Sequence, residues 1–172
     1  ENVYIRQYYM PKSTAAAQES WRLLCEQTVS ADTTGDKKIA LTAAITDPLL
    51  WDTEEAHLYI LKTQLYQDNT LLDETETTFG IREAVFKKDG FYLNGRKLRI
   101  RGLNRHQSFP YVGYAMPKSM QRLDADLLKK ELGLNAVRTS HYPQSHYFLE
   151  RCDELGLLVF TEFPGWQHIG DD

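Results

Sequence analysis

Asn135-Ala136-Val137-Arg138-Thr139-Ser140-His141-Tyr142-Pro143, followed further on by Leu157-Leu158-Val159-Phe160-Thr161-Glu162, decides how this chain is read. Leu134 to Thr139 reads as a strand, and Leu157 to Phe160 is a continuous apolar run suited to a strand buried on both faces. Between them, Tyr147, Phe148, Cys152 and Leu155 fall on one side of a helix that Gly156 would end. Upstream, Ser119 can cap another helix in which Met120, Leu123, Leu127, Leu128 and Leu132 form an apolar stripe, with Gly133 in the terminating position. A strand through Arg101-Gly102-Leu103 to Asn104-Arg105-His106 precedes that helix. The order βαβαβ predicts parallel strands with right-handed crossovers, in an open sheet or a closed barrel. No glycine-rich phosphate loop joins a strand to a helix. Polar side chains crowd the carboxyl ends instead, at Asn104-Arg105-His106, Thr139-Ser140-His141 and Thr161-Glu162, which favours a barrel whose site is built from side chains.

Further toward the N-terminus the period changes. Phe91-Tyr92-Leu93 and Lys97-Leu98-Arg99-Ile100 flank Asn94-Gly95, a dipeptide that tolerates positive φ, so a two-residue hairpin is expected, its second arm running on into Arg101-Gly102-Leu103. From Val3 to about Phe79 apolar residues alternate in short runs, the period of half-buried antiparallel strands. Trp21, Leu23, Cys25, Gln27 and Val29 would share one face, as would Ile39, Leu41, Ala43 and Ile45. Turn clusters at Ala31–Asp36, Thr46-Asp47-Pro48 and Gln67-Asp68-Asn69 separate the runs, and the pattern suggests an immunoglobulin-like β-sandwich. Pro11 to Gln18 reads as a loop or a brief helical turn. The expected domains are residues 1–81, the sandwich, and 82–172, the start of a barrel.

The 172 residues carry 20 basic and 24 acidic side chains, interspersed, for a net charge of -4. Neither nucleic acid nor an anionic membrane surface would find a basic footprint, and neutral ligands fit better. No apolar run approaches the ~20 residues that span a bilayer, and the first residues have no signal-peptide character. Cys25 and Cys152 each lie in an apolar periodic segment and are expected to be buried free thiols.

The string Asn135 to Pro143, with Asp153, Gly156 and Leu157 to Phe160 after it, closely resembles the signature of glycoside hydrolase family 2, which includes β-galactosidases, β-glucuronidases and β-mannosidases. Arg101 to His106 looks like that family's first barrel strand. Pro48-Leu49-Leu50-Trp51, Leu58-Tyr59 and Phe79-Gly80-Ile81-Arg82 look like the end of its immunoglobulin-like domain. The resemblance implies a sandwich followed by the first three elements of a (β/α)8 barrel. Such a barrel takes about 250 residues and roughly 85 follow Lys87, so the chain is expected to stop before the barrel is complete.

Retaining glycosidases need two carboxyl groups roughly 5–5.5 Å apart, one a nucleophile and one an acid then base. The resemblance places both after later strands, so no catalytic residue is expected in this chain. It makes the matching residues supporting ones. Arg138 would lie against the nucleophile's carboxylate, and His106 and His141 would meet sugar hydroxyls. Asn104 and Glu162 would position those side chains, and Trp166 would either stack on a sugar or cap a core. The histidines at 106, 141, 146 and 168 could alternatively form a metal centre, but no compact ligand motif is present. Some β-galactosidases of the family bind a divalent ion through a glutamate whose place Trp166 takes here, so no metal or other cofactor is expected. Phe91 and Tyr92 are read as plugging the barrel bottom.

The leading expectation is a fragment of an exo-glycosidase hydrolysing terminal β-linked sugars, β-galactosidase-like, inactive by itself. The alternatives are a carbohydrate-binding or scaffold module whose sandwich is the working part, and a pseudoenzyme. The expected partner is a β-linked glycoside, with no nucleic acid and no membrane. The hydrophobic strand Leu157 to Phe160 would leave an open edge, for which self-association, a swapped arrangement or a loosely ordered C-terminal half is expected. The sequence fixes neither sugar nor compartment, although polymeric glycans are met outside the cytoplasm, which favours a periplasmic or extracellular parent.

Overall fold

The computed structural model describes residues 3–12, 20–29, 35 and 38–163. Most of Pro11–Gln18 and of the Ala31–Asp36 cluster lies outside them. The chain divides into two compact units, Glu1–Leu49 with His57–Ile81, and Leu50–Ala56 with Arg82–Asp172.

The first unit is built on one antiparallel sheet of β1 (Val3–Pro11), β2 (Arg22–Val29), β3 (Tyr59–Gln67) and β4 (Thr70–Phe79), in the order β2-β1-β3-β4. Aromatic pairs across the strands hold it. Tyr4 stacks on Tyr66 at 5.1 Å, with the Arg6 guanidinium over both rings, and buried Tyr59 stacks on Phe79 at 5.5 Å. β3 turns into β4 at Asp68, φ +51°, within the expected Gln67-Asp68-Asn69 turn. Edge strand β4 carries Glu74 and Glu76, which pair with Lys62 on β3 at 3.5 and 3.1 Å.

Two sequence expectations fail in this unit. Trp21 and Leu23 do not share a face with Cys25 to Val29, because the register slips between Gln7 opposite Cys25 and Tyr8 opposite Leu23. The inserted residue reverses the alternation and leaves Leu23 exposed. Ile39 to Ile45 forms no strand. Its alternation reports an extended backbone with Ile39, Leu41 and Ile45 half-buried, which periodicity cannot distinguish from a ladder with a hydrogen-bonded partner.

The second unit opens with the Leu50–Ala56 loop, closed by a bridge between Trp51 and Ala56. A three-stranded antiparallel sheet follows, of β5 (Ala84–Lys87), β6 (Gly90–Leu93) and β7 (Arg96–Leu98). Asn94 at φ +50° and Gly95 at φ +74° make the expected hairpin turn. The second arm does not run on into the next strand, however. Buried Asn135 accepts from the Arg101 amide at 2.7 Å and donates to the Arg99 carbonyl at 2.9 Å, turning the chain into a separate sheet.

That sheet holds β8 (Gly102–Arg105), β9 (Ala136–Thr139) and β10 (Leu158–Phe160), all parallel, in the order β10-β9-β8. The crossovers contain α1 (Lys118–Asp126), continued by a π-helical turn at Leu127–Glu131, and α2 (His146–Leu155). Ser119 does not cap α1. The helix starts at Pro117, whose carbonyl accepts from Met120 and Gln121. Nor is the leucine stripe the buried one. Gln121, Ala125 and Leu128 face inward while Leu123, Leu127 and Leu132 are exposed. The π turn changes the helical phase after Asp126, and Gln121 is buried because a cation satisfies it, as described below.

Ala125, Leu128, Val137, Phe148, Cys152 and Leu157 form the core of this layer. Cys152 is a free thiol pushed up to about 12 by burial, so it stays protonated at neutral pH. Cys25, expected to be buried, is a half-buried free thiol bonded to Gln7 at 3.4 Å. At the edge of β10, Phe160 is exposed rather than covered on both faces.

Candidate active site

Register decides which side chains meet. Asn104 on β8 and Phe160 on β10 both lie opposite Arg138 on β9, and Arg105 lies opposite Thr139. Successive side chains alternate, so Asn104 and Arg138 share one face while Arg105 and Thr139 share the other. The two faces do different things.

On the helix-facing side, Arg105 is 4% exposed. Its Nε donates to Asp124 at 2.5 Å and one Nη to Gln121 at 2.9 Å; the other Nη donates to Gln144. Its guanidinium carbon stands 3.8 Å from the centre of the Phe148 ring. Gln144 in turn donates to the Arg105 carbonyl at 2.8 Å. One buried cation thus joins β8, α1, α2 and the loop after β9. Nothing in the periodicity of the sequence singled it out.

On the opposite face, at the carboxyl ends of the strands, Arg138 is ion-paired through Nη2 with one oxygen of Glu162, and its Nη1 lies 3.5 Å from the Asn104 side-chain oxygen. The other Glu162 oxygen is 3.1 Å from Nδ1 of His141. Glu162 is therefore held on both oxygens, between a guanidinium and an imidazole. Such a partner favours the tautomer with the proton on Nδ1 and turns Nε2 to other partners. His106 meets the His141 ring edge-on at 5.6 Å and the Tyr142 ring at 6.3 Å. Thr139 ties the strand tops by donating to the Phe160 carbonyl at 3.2 Å, and the Ser140–His141 peptide is cis. Arg138 keeps about half its surface open, so guanidinium donors remain for another group.

The structure thus brings Asn104, His106, Arg138, His141 and Glu162 together. Trp166 lies outside the described residues, as does His168, on which the metal reading partly rested. Among the described residues no group of three or more His, Cys, Asp or Glu side chains could hold a metal ion. Tyr142 and Gln107 were missed by sequence reasoning. The Tyr142 hydroxyl accepts from the Gln107 amide at 3.0 Å, and the Gln107 side chain accepts from the Ser145 amide at 2.7 Å. A cavity of about 800 Å³ lies elsewhere, lined by Phe86, Phe91, Lys97, Leu98 and Ile100 of the hairpin sheet.

The family pattern described as "Glycosyl hydrolases family 2, TIM barrel domain" matches residues 84–170, and "Glycosyl hydrolases family 2" matches residues 8–82. The chain belongs to glycosyl hydrolase family 2. Its fold class is the expected one, a sandwich domain followed by the start of a TIM barrel. Among relatives of this family, a β-galactosidase of Thermoanaerobacterium thermosulfurigenes is 64% identical over 125 residues, 73% of this chain and 17% of that protein. A β-galactosidase of Thermoanaerobacter pseudethanolicus is 52% identical over 151 residues, 87% of this chain and 20% of that protein. A solved β-glucuronidase of Bacteroides uniformis superposes with a TM-score of 0.77 at 32% identity, over 99% of this chain and 20% of that one. The chain thus spans about a fifth of the length of these three proteins.

Proposed function

We propose that this chain supplies the sandwich and the first barrel strands of a retaining exo-glycosidase that hydrolyses terminal β-linked sugars, with a β-galactoside as substrate. The observation that carries the reading is the array of Asn104, Arg138, His141 and Glu162 where three parallel strands end. The relatives at 64% and 52% identity, both β-galactosidases, support the choice of sugar.

In this reading the array prepares the site for two carboxylates supplied by the rest of the parent. Glu162 fixes Arg138 in place, and the remaining guanidinium donors keep a nucleophilic carboxylate ionised and oriented. His141, held by the same Glu162, is placed to meet a sugar hydroxyl, and His106 lies beside it. A hydrogen bond of that kind gains strength as positive charge develops on the sugar ring. Glu162 itself is engaged on both oxygens, which suits a positioning carboxylate.

Two outcomes are expected. The pure 172-residue chain gives no turnover of an aryl β-galactoside or β-glucuronide, whereas turnover abolished by a mechanism-based inhibitor would contradict the role given to Glu162. In the full-length parent, Arg138→Ala lowers kcat for an aryl β-galactoside by about 100-fold or more, and Arg138→Lys does not restore it because the planar fork is lost. A kcat within about twofold of wild type for Arg138→Ala would remove Arg138 from the site.

A further inference from the structure

The loop from β8 to α1 leaves directly from His106 and is fastened to the site-bearing layer at both ends. Near its start, the Ser108 amide donates to the His106 carbonyl at 2.9 Å, and Gln107 is held by Tyr142 and Ser145. Near its end, buried Met116 places its sulfur 3.9 Å from the Arg105 guanidinium. Between these anchors the chain closes a miniature hairpin, Phe109 and Gly113 exchanging amide bonds of 3.1 and 2.9 Å around Pro110-Tyr111-Val112.

At the tip stands Tyr111, with φ +71°, a backbone region that bulky L side chains avoid and that glycine takes freely. Its ring is fully exposed at 107%, and Tyr114 is 71% exposed. A turn of this shape is served as well by glycine, as Gly113 at φ +56° in the same loop illustrates. A strained, wholly exposed aromatic ring returns nothing to the chain's own packing. Two phenol rings on a short anchored loop offer flat, rigid, amphipathic faces that lose little entropy on binding. The apolar C–H face of a pyranose is the natural complement, with the phenol hydroxyls available to sugar hydroxyls.

We propose that Tyr111 and Tyr114 form a stacking platform for the leaving-group sugar, the ring on the far side of the scissile bond from the one held by the strand-end array. This rests on the glycosidase reading above. The loop leaves the carboxyl end of β8 at His106, whose ring meets that of His141 at 5.6 Å, so its root lies beside the strand-end array.

The test uses the full-length parent with two substrates sharing one glycone, a β-linked disaccharide and the corresponding methyl β-glycoside, which has no second ring. Tyr111→Gly removes the ring while suiting the backbone, so the melting temperature is expected to hold or rise. KM for the disaccharide is expected to rise about 5- to 20-fold, with kcat/KM for the methyl glycoside unchanged within twofold. Tyr111→Phe restores the disaccharide KM to within about threefold of wild type, and Tyr114→Ala adds to the loss caused by Tyr111→Gly. An unchanged disaccharide KM in an active parent would overturn the platform alone. Equal losses on both substrates, or a lowered melting temperature for Tyr111→Gly, would instead show a ring packed within the parent and overturn it too. A wild-type parent that cleaves neither glycoside defeats the glycosidase reading, and the platform with it.

Discussion

Arg105→Ala is expected to destabilise the second unit by about 3–5 kcal/mol, the range seen when one member of a buried ion pair is removed. The loss is larger than that of an exposed pair because three groups are abandoned together. Asp124 keeps a charge at the layer's edge, while the Gln121 and Gln144 amides lose their partner. The Phe148 ring also loses the guanidinium packed 3.8 Å from its centre. Arg105→Lys should recover little, since an ammonium cannot reach Asp124, Gln121 and Gln144 at once. Denaturant unfolding followed by circular dichroism reads the change, and slow-exchanging amides of β9 should lose protection in the same variant. A shift under about 1 kcal/mol would mean that the four segments joined by Arg105 are held by apolar packing alone.

Gly156→Ala should be nearly as severe, and a second glycine separates its causes. Gly156 and Gly95 both adopt φ +74°, so alanine meets the same backbone strain at each. At Gly95 a Cβ finds open space, and about 1 kcal/mol of destabilisation is expected there. At Gly156 a Cβ would stand 2.5 Å from the Thr53 carbonyl oxygen and 2.9 Å from that of Asp52. Those carbonyls cannot withdraw easily, because Thr53 is buried and its oxygen accepts from Lys129 at 2.5 Å. Roughly 3–4 kcal/mol is expected for Gly156→Ala. Equal losses at the two positions would show that the Thr53 backbone yields and that strain in φ is the whole effect.

The glycines are also where the sequence was most legible. Gly95, Gly133 and Gly156 were each read as a turn or a helix terminus, and all three adopt positive φ, because steric demand at a single residue needs no tertiary context. Leu134 to Thr139 and the apolar run Leu157 to Phe160 were legible as strands, whereas Gly102–Arg105 was read as a continuation of the hairpin arm from which the Asn135 bonds separate it. What escaped was whatever depends on a partner. The bulge beside Cys25 is a property of the β1–β2 pair, and the extended stretch through Ile39 lacks the ladder that its alternation suggested. The leucines at 123, 127 and 132 outscore Gln121 and Ala125 in hydrophobicity, yet the latter are buried, because Arg105 satisfies one and close packing selects the other.

The site shows the same division. Its residue types were named through a resemblance, but their arrangement follows from register. Asn104 and Arg138 lie side by side because β8 and β9 are parallel with Asn104 opposite Arg138, and Arg105 points to the helices because it is one residue further along. Glu162 was expected to position neighbouring side chains; in the structure one of its carboxylate oxygens is ion-paired with Arg138 and the other lies near His141.

The Leu50–Ala56 loop has a consequence for the order in which the chain is made. Buried Trp51 donates its indole N–H to the Asp153 carbonyl at 2.7 Å, across 102 positions of sequence, and its ring carries the Arg82 guanidinium at 4.5 Å. During synthesis the indole emerges before all of β3 and β4 and waits for the end of α2 before its final partner exists. A gene cut after Ile81 would leave the tryptophan with the wrong half, so neither piece could rebuild the native seat beneath Gly156.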